Sequence, residues 1–225
     1  MKSELSNPQT LNDRMAELIR QKIVHGEFTP GQRLSETALS ESLEISRNTL
    51  REVFRLLTKE GLLKHEPNRG VFVAIPSIAS IIDIYRVRRL IECQALAQAY
   101  PRHPAKKHLR DAVEMALRCR DAGDWQGVGT ANMEFHMAIV ELADSERLNV
   151  MFSHLLAELR LAFGLLNDPE FLHMPYVEMN VNILELFEAG KLQEAAAALN
   201  EYLVHSERIV LAVYARRISD SGTAK

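Results

Sequence analysis

The spacing of apolar residues along this chain changes twice, near residue 62 and again near residue 76, and that change limits the fold more than any other feature. From Leu11 to Val24 the positions Leu11, Met15, Leu18, Ile19 and Ile23 recur with a helical period. HGEFTPGQRL then interrupts the pattern with two glycines and a proline. Ser35 can cap a short helix with Leu39 and Leu43 on its inner face. Only Glu44 and Ile45 separate a second cap, Ser46, whose helix runs to Gly61, a natural residue just past a helix end. LLKHE and VFVAI then flank PNRG, the pattern of two short strands joined by a tight turn. Three helices and a hairpin in the first 76 residues make a small, complete module.

After Pro76-Ser77, a linker, every segment has the helical period. Helices are predicted at 78–99, 104–122, 124–143, 146–166, 174–189 and 191–216. Pro101, Pro104, Gly123, Asp144-Ser145, Asn167-Asp168-Pro169 and Gly190 punctuate them. Six such helices can enclose a core as an antiparallel bundle. The predicted fold is therefore mainly α: a helix-turn-helix with a wing over 1–76, an all-helical bundle over 77–217, and a frayed, disordered tail, ISDSGTAK, over 218–225.

Bulk charge does not announce a partner. Residues 1–76 carry 11 Lys and Arg against 10 Asp and Glu, and the remainder carries 16 against 20. Any case for nucleic acid rests on local placement. No apolar run approaches the roughly 20 residues needed to span a bilayer, and the start, MKSELSNPQTLND, has no apolar signal-peptide core. Cys93 and Cys119 stand far apart without ligand spacing, so they read as buried free thiols in a reducing cytoplasm.

Local placement is informative in the helix after Ser46. At about 100° per residue, Leu50, Val53, Phe54 and Leu57 form one face. Arg47, Asn48, Arg51, Arg55 and Lys59 form another, with Glu52 beside them. A helix entering the major groove needs such donors: Arg for guanine edges and phosphates, Asn for adenine, and Ser or Thr hydroxyls for phosphate oxygens. The bland reading is a surface helix with its usual charged side. Against it stand the lengths of the preceding helix and turn, the hairpin with Arg69 at its tip, and charges of nearly one sign.

With those residues in view, FTPGQRLSETALSESLEISRNTLREVFRLLTKEGLLKHEPNRGVFVA resembles the winged-helix domain of the GntR transcription regulators. YRVRRLIECQALAQAY and AGDWQGVGTANMEFHMAIVELADSERL resemble the all-helical effector domain of the FadR-like subgroup. The resemblance implies a homodimer on a short palindromic operator in double-stranded DNA, most often as a repressor, released by a small organic, carboxylated effector. It carries DNA contact over to Ser46, Arg47, Asn48, Thr49 and Arg51, and to Asn68, Arg69 and Gly70 at the wing tip; Arg55 joins them from the donor stripe. Asn48-Thr49-Leu50 stands where many of the subgroup carry Thr-Pro-Val, so the operator sequence does not carry over.

Many members of the subgroup hold a divalent metal with an aspartate and three histidines. Those four positions fall here on Asn132, His136, Asn180 and Tyr202. A first-row ion needs carboxylate or neutral imidazole ligands, and a phenol of pKa near 10 rarely ionises at neutral pH. The expectation is therefore no metal cofactor. Asn132, His136, Asn180, Tyr202 and Arg88 become the expected contacts of an organic effector. Arg88 has two readings: it meets the carboxylate of an effector, or it pairs with Glu92 four residues on. His154, His173 and His205 are each expected to be exposed or satisfied in the core.

Three alternatives differ in class. One is the same regulator with a divalent metal retained through His136. Another is a helical interaction module that does not bind DNA. The third, an enzyme, finds no support: there is no H-E-x-x-H, no G-x-S-x-G and no phosphate loop.

Overall fold

The computed structural model describes residues 10–100, 102–165 and 168–222, with nine helices and three strands among them. Helix α1 (Leu11–Val24) starts from a reciprocal cap in which Thr10 accepts from the Asp13 amide and Asp13 accepts from the Thr10 amide. Its buried face is Ala16, Ile19, Arg20 and Ile23. Leu11 and Leu18, counted above with the apolar stripe, are each 46% exposed. Helices α2 (Glu36–Ser42) and α3 (Arg47–Lys59) are capped by Ser35 and Ser46. The turn between them is tight enough that Glu44 adopts φ 54.

The hairpin forms from β2 (Leu63–Glu66) and β3 (Gly70–Val73), antiparallel, with Leu63 opposite Val73 and Glu66 opposite Gly70. A further strand, β1 (Arg33–Leu34), lies on the other side of β3, giving the order β1-β3-β2. At two residues it is too short to show alternation in the sequence.

The second half is a helical bundle: α4 (Ile78–Ala97), α5 (Lys106–Asp121), α6 (Trp125–Glu141), α7 (Glu146–Phe163), α8 (Pro169–Glu188) and α9 (Leu192–Gly222). Most boundaries fall within three residues of the sequence reading, and two differ by five or more. Helix α8 begins five residues earlier than predicted, because Asp168 caps it and Pro169 occupies its first position, where a missing N–H costs nothing. Helix α9 continues through residues 218–222 of the predicted disordered tail, since no glycine or proline stands between Gly190 and Gly222. Residues 223–225 of that tail lie outside the described residues.

The core of the bundle runs from Ile81 and Tyr85 on α4 through Phe135 and Ile139 on α6 to Leu199 and Leu203 on α9. The two halves share material. Ala157 and Leu161 of α7 are buried in the same apolar cluster as Ile19, Leu50 and Val53 of the first module.

Candidate nucleic-acid interface and effector pocket

Helix α3 buries Leu50, Val53, Phe54 and Leu57 and leaves Arg47, Asn48, Arg51 and Arg55 exposed, as its period requires. Ser46 is engaged at the start of the helix. Its Oγ accepts from the Thr49 amide at 3.1 Å and lies 2.8 Å from the Thr49 hydroxyl. At the wing tip Asn68 adopts φ 62 and Gly70 φ 105, conformations that asparagine and glycine tolerate best. This turn projects Arg69, which is exposed and packs its guanidinium over Phe72 at 5.5 Å.

The basic stripe is less free than the sequence suggests. Arg51 pairs with Glu36 of α2 at 3.0 Å, Arg55 with Glu52 at 2.6 Å, and Arg69 with Glu66 at 2.5 Å. Glu36 is the partner that sequence reasoning missed, fifteen positions away on a different helix. Arg47 has no ion pair among the described residues. A groove of about 830 Å³ between α3 and the wing strands is lined by Arg51, Arg55, Lys59 and His65.

Inside the bundle, α4, α6, α8 and α9 bring the five expected effector residues into one buried network. Arg88 is 1% exposed and donates from Nε to Glu92 at 2.7 Å. The other oxygen of Glu92 meets His136 Nδ1 at 2.5 Å. The His136 ring then packs edge-on against Tyr202, 5.0 Å between centroids. Tyr202 donates to Asn132 Oδ1 at 3.0 Å, and Asn180 donates to the same oxygen at 2.7 Å. Of the two readings of Arg88, the pair with Glu92 forms, and Nη2 of Arg88 is left without a partner. Glu92, read only as a helical neighbour, is the hub that joins Arg88 to His136.

Charge states follow from this packing. Burial opposes the Glu92 charge, but Arg88 and His136 overcome it and hold the carboxyl below its ordinary value. Burial lowers His136, with Glu92 pulling partly the other way. A neutral His136 that donates from Nδ1 to Glu92 leaves Nε2 as a bare acceptor, and Nε2 has no partner. Burial raises Tyr202 well above its ordinary value, so it stays a donor. Asn180 Oδ1 is also unpartnered.

These donors do not fit a divalent ion. Asn132 Oδ1 already accepts two hydrogen bonds, Tyr202 keeps its proton, and both Glu92 oxygens are engaged. What remains is one imidazole nitrogen and one amide oxygen, without an anionic ligand. His205, one turn beyond Tyr202, is exposed, with its ring 6.2 Å from Tyr176. His154 is half-buried. His173 departs from expectation: it is 3% exposed, and its Nδ1 has no hydrogen-bond partner.

Residues 11–73 match the model of the gntR family of bacterial regulatory proteins, and residues 83–205 match the FCD domain. The chain belongs to the GntR family, with an FCD domain. This GntR regulator is 35% identical to a GntR transcriptional regulator from Rhodococcus sp. RHA1. That likeness has a TM-score of 0.84 and covers 89% of this chain and 97% of that one. McbR/YncC of E. coli shares the fold, with a TM-score of 0.78 at 21% identity over 91% of this chain and 99% of that one.

In sequence, the chain is 28% identical to the HTH-type transcriptional regulator YdhC of Bacillus subtilis, over 60% of this chain and 62% of YdhC. It is 32% identical to the HTH-type transcriptional repressor RspR of Escherichia coli, over 44% of this chain and 43% of RspR. These matches span less than two thirds of each curated relative. The families and relatives are transcription regulators rather than enzymes. No helix among the described residues is long and apolar enough to cross a membrane.

Proposed function

We propose that this GntR regulator is a repressor that binds a palindromic operator as a homodimer and releases it when a small carboxylated metabolite enters the bundle. Ser46, Arg47, Asn48, Thr49, Arg51 and Arg55 meet the major groove, while Asn68, Arg69 and Gly70 meet the backbone or the minor groove beside it. The observation that carries DNA recognition is the exposed donor face of α3 set opposite its buried apolar face. The carboxylates on Arg51, Arg55 and Arg69 act as placeholders that phosphates and base edges displace. A homodimer is supported by the apolar surface around Leu90, 72% exposed on α4, and Tyr100, 49% exposed. That RspR is a transcriptional repressor supports repression over activation.

Within the bundle, Arg88, Asn132, His136, Asn180 and Tyr202 contact the effector without a metal. Three unmatched atoms set its chemistry. Arg88 Nη2 asks for an acceptor, whereas His136 Nε2 and Asn180 Oδ1 ask for donors. A carboxylate that also carries hydroxyl or amino groups answers all three.

The test is fluorescence anisotropy with DNA from the region upstream of the regulator's own gene, over a salt series. Affinity that falls linearly in a log–log plot against salt supports the reading, and salt-insensitive binding favours a protein-interaction module instead. Metal analysis of the purified protein tests the pocket. Stoichiometric zinc or nickel held through His136 would overturn the metal-free effector site.

A further inference from the structure

Three arginines are buried among the described residues, and they are not treated alike. Arg20 is 5% exposed and is matched by Glu60 at 2.7 Å, and Arg88 is matched by Glu92. Arg160 on α7 is 7% exposed, and its guanidinium has neither an ion pair nor a hydrogen bond among the described residues. Burial, with no neighbouring carboxylate to offset it, pushes its guanidinium below its ordinary value. An unmatched buried cation costs several kcal/mol, so a fold that keeps one keeps it for a partner of opposite charge.

Arg160 also does not stand alone. Its Nη1 and His173 Nε2 converge on Gly129 of α6 so closely that a Cβ there would lie 2.7 Å from the His173 nitrogen and closer still to Arg160. Both side chains line a cavity of about 220 Å³ whose walls come from both domains. The end of α1 and the loop after it contribute Gly26, Phe28 and Pro30, while α7 and α8 contribute Leu161 and Leu172. Gln126, at the start of α6, ties the two sides together by donating to the His25 carbonyl at 2.5 Å.

We propose that this cavity is a second ligand site, between the winged helix and the bundle, for a small monocarboxylate with an apolar body. The carboxylate accepts from the Arg160 guanidinium and from His173, and the hydrocarbon lies against Phe28, Leu161 and Leu172. A carboxylate fits better than phosphate because most of the wall is apolar and only one permanent cation faces the cavity. The site is separate from the Arg88–Tyr202 network. Its occupant bridges the DNA-reading module and the bundle, so it acts on their relative position.

The test titrates the full chain with sodium butyrate and sodium hexanoate, with sodium chloride at matched ionic strength as control. Trp125, the chain's single tryptophan, adjoins Gln126 in the cavity wall and serves as the fluorescence reporter. A saturable change with hexanoate, tighter than with butyrate and absent with chloride, is expected. Arg160→Met should weaken the midpoint at least tenfold and raise the melting temperature of the ligand-free protein. Should Arg160→Met not fold, Arg160→Lys should weaken binding about tenfold, because its point charge cannot hold a carboxylate through two parallel bonds. Tyr202→Phe separates the two sites and should shift the midpoint less than twofold.

No saturable response, an equal response to chloride, or full binding by the Arg160 variants would overturn the proposal. Loss of binding in Tyr202→Phe with retention in Arg160→Met would put hexanoate in the bundle, which sinks this site and leaves the effector reading standing.

Discussion

His136 Nδ1 lies 2.5 Å from a carboxylate oxygen of Glu92, and that contact fixes which face of the imidazole is free. With Glu92 charged and its second oxygen on Arg88, the histidine is held as a donor at Nδ1 and a bare acceptor at Nε2. Among the described residues, Glu92 is the one carboxylate paired with the buried Arg88, and Glu92→Gln removes it. Breaking a buried pair on one side costs about 3–5 kcal/mol. Urea unfolding of the variant should show a loss of that size, and an unchanged midpoint would mean that Arg88 finds another anion.

A smaller and a larger loss are expected at the other end of the network. Tyr202→Phe deletes one donor to Asn132 Oδ1, which keeps the Asn180 bond, so the cost is about 1 kcal/mol. Asn132→Ala strands two buried donors at once and should cost about 2–4 kcal/mol by the same scale. Equal losses measured by thermal denaturation would contradict the shared-acceptor arrangement.

His173 gives stability a pH dependence with a definite sign. Burial, with Arg160 adding to it, lowers this imidazole from 6.5 to about 3. The unfolded chain therefore binds a proton that the folded chain refuses. The contribution is complete above about pH 6.5 and is lost as pH falls toward 3. Between pH 7.5 and 5, His173→Leu should lose about 2 kcal/mol less stability than the parent, as read from urea midpoints. Parallel losses in the two proteins would show that His173 is protonated in the fold.

On the DNA side, the Arg51–Glu36 pair predicts changes in opposite directions. Arg51→Ala should weaken operator binding at least tenfold and make the salt dependence shallower. Glu36→Gln frees Arg51 from its partner and should tighten binding about two- to fivefold at low salt, the scale of an exposed ion pair. Weaker binding in Glu36→Gln would make Glu36 an orienting group for Arg51 instead of a competitor for it.

What the sequence disclosed followed how local each feature is. The two faces of α3 and the wing turn at Asn68-Arg69-Gly70 depend on neighbours in the chain, and period and turn chemistry exposed both. Strand β1 escaped because two residues within a Gly- and Pro-containing break carry no period. Helix α8 was entered late because Pro169 reads as a stop when it is the first helical residue. The five bundle residues came from resemblance, and their convergence on one network depends on packing among four helices. Nothing in the order of residues shows Glu92 reaching His136 across 44 positions, Glu36 reaching Arg51, or Arg160 left without a carboxylate.

Ala157 and Leu161 give α7 two employers. The same helix is a wall of the bundle and a plug in the base of the winged helix. A shift or tilt of α7 must carry α1, its packing partner in the first module, with it, or open a void beside Ala16, Ile19 and Ile23. One helix thus belongs to two apolar cores, and the two domains should melt together in one calorimetric transition.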